Sequence, residues 1–114
     1  MRLALALLFA LATGGCGAGP IGTLALSWRF ADGRSCLDAG AATVQALVGG
    51  SAIGEFACST GEPPLSAMVM NATAGATLEV VALSPARVEL YRGTLETDAK
   101  FTPATVTLYA TGAR

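Results

Sequence analysis

"GTLALSWRF", residues 22–30, alternates without a break: Leu24, Leu26, Trp28 and Phe30 fall on one side of an extended chain, and Ala25, Ser27 and Arg29 on the other. Successive side chains of a strand point to opposite faces, so a period of two held over four repeats predicts a β-strand with one buried face. Trp28 is in phase with the aliphatic residues. It is therefore expected in the core rather than as an exposed aromatic platform.

Shorter runs of the same kind follow downstream. "ATVQALV" (42–48) places Val44, Ala46 and Val48 together, and "GEFACS" (54–59) and "LSAMVM" (65–70) add two short candidates. "ATLEVVALS" (76–84) turns Leu78, Val80 and Ala82 inward and Glu79 outward. "RVELYRGTLET" (87–97) comes after a tight Ser84-Pro85-Ala86 connection, and "ATVTLYAT" (104–111) sets Val106 and Leu108 against Thr105, Thr107 and Tyr109. Seven strands spaced about 8 to 15 residues apart predict an all-β fold, a seven-stranded antiparallel β-sandwich over residues 22–114. The Ala-rich segment 36–50 competes as a helix, since Ala, Leu and Gln favour one, but strand is expected from Ala42. Asp32-Gly33 and Gly49-Gly50 carry turn chemistry, and Pro63-Pro64 interrupts any ladder.

The 114-residue chain holds no histidine, which excludes Ser-His-Asp and Cys-His catalysis and His-ligated metals. "GGSAIG" around Ser51 lacks the second glycine of a nucleophile elbow and is expected as a hairpin. Glu96 and Asp98 share a strand face, where an acid/base or calcium pair competes with solvated charges at a strand end. Asn71-Ala72-Thr73 fits a glycosylation sequon, with Asn71 expected to form a turn. Tyr91 and Tyr109 lie opposite the aliphatic residues of their strands. They are the candidate surface contacts, or a cross-strand pair. Eight acidic and seven basic residues, spread singly, leave no footprint for nucleic acid and no polybasic patch.

The N-terminus sets Arg2 before "LALALLFALA", an uncharged run of ten residues, then "TGGCGAGP". That order of positive, apolar and small segments predicts a helical signal peptide, residues 1–15. Ten helical residues rise about 15 Å, half of a hydrocarbon core of about 30 Å, so a transmembrane anchor is disfavoured. Ala10-Leu11-Ala12 offers one cleavage site, leaving Thr13 first. Thr13-Gly14-Gly15-Cys16 resembles the lipobox of bacterial lipoproteins, matching at Gly14, Gly15 and Cys16 and departing at Thr13, where Leu is usual. The resemblance implies a diacylglyceryl thioether on Cys16, a tether over residues 16–21, and, with Gly17 rather than Asp next, delivery to the outer membrane of a diderm envelope. Cysteine parity supports this reading. With Cys16 lipidated, Cys36 and Cys58 remain as an even pair. A disulfide between them closes a loop worth about 3 kcal/mol, against total stabilities of about 5 to 15 kcal/mol. Two cysteines without histidine make a poor zinc site.

"AGATLEVVALSPARVELYRGTLET" followed by "TPATVTLYAT" resembles small prealbumin-like or immunoglobulin-like sandwich modules of bacterial surface proteins. The resemblance implies a fold and a location but carries no catalytic residues. The expected function is a non-enzymatic, membrane-anchored module meeting an envelope protein partner, without cofactor or small-molecule substrate. A carbohydrate-binding module, marked by aromatics on one exposed face, is the alternative. A secreted enzyme or inhibitor, cleaved after Ala12, is a third class.

Overall fold

A computed structural model describes residues 19–111. The expected signal peptide and Cys16 lie outside the described residues. Seven strands form: β1 (Ile21–Phe30), β2 (Thr43–Val48), β3 (Ser51–Ala57), β4 (Ala67–Thr73), β5 (Thr77–Leu83), β6 (Glu89–Glu96) and β7 (Ala104–Ala110). They line up in the order β3-β2-β5-β6-β7-β1-β4. This sheet folds over on itself, so that β4, β1 and β7 face β2, β5 and β6 across one core, and the edge strands β3 and β4 approach each other almost as in a barrel.

The seven strands are those expected, but their directions are mixed. Neighbours run antiparallel except β1 and β7, which pair in parallel from Leu26 with Ala104 to Phe30 with Leu108. A parallel pair needs a long crossover, supplied here by all the intervening strands. Side-chain alternation carries no record of strand direction, so the antiparallel expectation is corrected on this point.

Leu24, Leu26, Trp28 and Phe30 are all buried, as their phase requires. Trp28 sits at the centre, its ring 6.2 Å from that of Phe56 in the facing layer and its Nε1–H donating to the Cys58 carbonyl at 2.8 Å. Gly61 lies flat against the indole, where a Cβ would come within 2.5 Å of a ring carbon. The β2–β3 hairpin turns on Gly49 and Gly50, both at positive φ (59° and 84°), as a two-residue turn matching strand twist demands.

The Ala-rich segment is strand from Thr43, close to the expected start at Ala42, and one local expectation, the Asn71 turn, is corrected. A one-turn helix, α1 (Cys36–Ala39), does form in the Ala-rich segment: the Ser35 hydroxyl accepts the Asp38 N–H at its start, and Gly40 stops it at φ 73°. A short 3-10 turn covers Cys58–Gly61. Asn71 lies within β4 rather than in a turn, at an irregularity where Gly22 pairs with Ala72 but Leu24 pairs with Val69. The extra β4 residue makes a bulge, leaving Met70 and Asn71 both exposed.

Candidate functional site

The strand directions define two poles. Ile21, the Gly49-Gly50 turn, Ala74 to Ala76 and the Asp98–Phe101 loop gather at one, which we call the entry pole. The far pole holds the Asp32-Gly33 turn, α1, Cys58–Gly61, the cis Pro63-Pro64 segment and the Ser84 to Val88 turn.

At the far pole Cys36 and Cys58 form the expected disulfide, with Cα atoms 5.9 Å apart and both residues buried. The Glu62 carboxylate accepts the Cys36 N–H at 2.6 Å, satisfying a free donor of α1. Tyr91 is not on the surface. It is 5% exposed, its ring edge-on to Phe30 at 4.6 Å and its hydroxyl donating to Asp32 at 2.7 Å. That bond holds the Asp32 carboxyl below its ordinary range, while burial first and the facing Asp32 second push the Tyr91 hydroxyl above its own. Tyr91 and Tyr109 do not pair: Tyr91 lies opposite Ala110, and Tyr109 lies opposite Arg92. Tyr109 is exposed, as expected.

Beside this pinned turn is an open recess of about 640 Å³, lined by Arg29, Gly33, Arg34, Pro63, Thr107 and Tyr109. The parallel pairing sets Arg29 next to Thr107, and Tyr109 projects outward one step further along β7. Arg34 contacts Asp32 at a loose 3.7 Å, but Asp32 also accepts from Tyr91 and from the Arg34 backbone N–H. Arg29 forms no salt bridge among the described residues. The recess thus presents two guanidinium groups, a phenol and a hydroxyl to solvent.

The recess continues into the outer face of β4, β1 and β7. Ile21, Met68, Met70 and Tyr109 are 68%, 51%, 63% and 61% exposed, and Leu65 stands at the rim, held there by the Ser27 hydroxyl donating to the Leu65 carbonyl at 2.8 Å. These three strands contain one charged residue, Arg29. The other four contain Glu55, Glu79, Glu89, Arg92 and Glu96, and their outer face is laced by Arg92 to Glu79 and Glu89 and by Arg87, in the β5–β6 turn, to Glu55. One side of the sandwich is acidic and ion-paired; the other is apolar, hydroxylated and weakly basic.

Asp98 organises its own loop: its carboxylate accepts the Thr102 hydroxyl first, then the Thr102 and Lys100 backbone N–H groups, which together hold it below the usual carboxylate range. No cluster of three or more potential metal ligands occurs among the described residues. Arg29, Arg34, Met68 and Met70 were not singled out by sequence reasoning. Arg29 and the methionines were readable as outward positions of alternating runs, but their sharing one face needed the order of the strands. No protein-family model matches the chain, and no curated protein or solved structure matches it either.

Proposed function

We propose that this chain is a non-enzymatic envelope lipoprotein in which Cys16 carries the lipid anchor and residues 22–114 present a stapled sandwich to an envelope protein partner. The carrying observation is that the fold consumes Cys36 and Cys58 in a buried disulfide, leaving Cys16 as the remaining thiol. Free cysteine is a liability in an oxidising compartment, and acylation removes it. Lipobox-type modification places two or more acyl chains on one residue, and at about 0.8 kcal/mol per buried methylene this converts marginal binding into a stable anchor. Gly17 favours delivery to an outer membrane. The far pole, with Leu37 89% exposed beside Pro85, supplies apolar contact for a protein partner. The carbohydrate-binding alternative calls for aromatics gathered on one exposed face, and of the two candidate tyrosines Tyr109 is exposed while Tyr91 is buried.

Intact-mass analysis of the membrane fraction tests this reading. The expected species begins at Cys16 with diacylglyceryl and amide-linked acyl additions, and Cys16→Ser moves the protein to the soluble fraction. A soluble wild type beginning at Thr13, with Cys16 unmodified, overturns it.

A further inference from the structure

We propose that the outer face of β4, β1 and β7 lies against the lipid surface, with Arg29 and Arg34 holding anionic headgroups. The inference rests on the anchor reading above. Ile21, the first residue of β1, stands five positions after Cys16, so the chain between them reaches at most about 18 Å. The strand it enters spans ten residues, roughly 33 Å. A domain on so short a leash either stands on its entry pole or lies on the face that β1 belongs to. The chemistry of the two sides selects between these.

The face containing β1 bears Ile21, Met68, Met70 and Leu65 in the open, with no acidic residue in its three strands. Methionine is flexible and polarisable, suited to an irregular apolar boundary. Tyr109 is amphipathic and sits where an interfacial ring is favoured. Arg29 has no carboxylate partner among the described residues, and Arg34 has only a loose one, so both are available to phosphate. The entry pole, by contrast, carries Asp98 and Glu96 with Lys100 as the one cation in its loop, a poor match to an anionic surface. Lying down places the apolar patch in the headgroup boundary and the arginine recess among headgroups. It leaves the ion-paired sheet facing away from the bilayer.

The test uses full-length lipidated protein in vesicles of phosphatidylcholine and phosphatidylglycerol whose acyl chains carry bromine as a quencher. Met70→Trp places a reporter on the proposed face, and Gln45→Trp places one on the opposite sheet. At the roughly 5–10 Å depth of interfacial elements, Met70→Trp is expected to lose about half or more of its emission and Gln45→Trp almost none. Arg29→Gln with Arg34→Gln is expected to make that quenching insensitive to the phosphatidylglycerol content. Near-ultraviolet dichroism from buried Trp28 reports whether each variant keeps its fold. Equal quenching of the two reporters overturns the proposal. So does shielding of Met70→Trp from both lipid bromine and aqueous iodide, which marks a protein covering the face. Unselective quenching of the acylated protein leaves the anchor standing and removes the orientation; a mass showing Cys16 unmodified in the membrane-derived protein removes the anchor, and the orientation argued from it falls too.

Discussion

Tyr91 and Trp28 show what a single position reveals. Trp28 was legible because its three in-phase neighbours are all large and apolar. Tyr91 was not, because Leu90 beside it looks like the inward residue. The register resolves this: Tyr91, Gly93 and Leu95 stand opposite Ala82, Val80 and Leu78, all of them buried except the half-buried Leu95, and the Tyr91 ring packs against Phe30. Tyr91→Phe keeps the ring and removes the bond to Asp32, a solvent-accessible partner, so a loss of about 1 kcal/mol is expected by denaturant titration. Gly61→Ala drives a methyl into the Trp28 ring, and overpacking of this kind costs about 1–3 kcal/mol. An unchanged midpoint would mean that the Cys58–Gly61 turn yields freely.

At the scale of elements, all seven strands were visible, because alternation is a local signal that survives without knowledge of neighbours. What escaped was what neighbours decide: the parallel β1–β7 pair, the β4 bulge, and the length of α1, limited to four residues by Ser35 and Gly40. The cysteine pair was legible through parity and spacing. It joins two short helical elements that bury little surface of their own, so the covalent link has a large part in holding them. Replacing both cysteines with alanine is expected to cost about 3 kcal/mol, read from the shift in denaturation midpoint. Because both residues are buried, reductant added to the native protein should open the bond slowly, with thiol release accelerating once denaturant is present.

The charge division between the two sides belongs to the whole molecule, and no single run displayed it; it emerged only when strand order collected the uncharged runs on one side. Acid stability also belongs at this scale. Asp32, Glu55, Glu89 and Asp98 are all held below their ordinary values, by Tyr91, Arg87, Arg92 and Thr102 first in turn. Each therefore binds fewer protons in the folded state. Their contribution is present above the unfolded value of about 4 and disappears as pH falls through the lower folded values. Thermal midpoints should stay level through neutral pH and fall below about pH 4. Tyr91 has the opposite sign: raised above its ordinary value, it favours the fold below about pH 10 and loses that as alkalinity passes the folded value. Alkaline difference absorbance should show one tyrosine ionising late, together with unfolding.

The adjacency of β1 and β7 also governs time. Residues Leu26 and Ala104, 78 positions apart, must meet before the first strand is flanked on both sides. Contacts so distant along the chain slow closure, since their loop entropy is lost before they return any attraction. A polypeptide made from its N-terminus therefore keeps one edge of its longest strand open until β7 has been made. Under the export reading proposed above, this delay keeps the chain threadable, and truncation after Pro103 should leave β1 permanently open on that edge: the product is expected to be sensitive to protease and prone to aggregate.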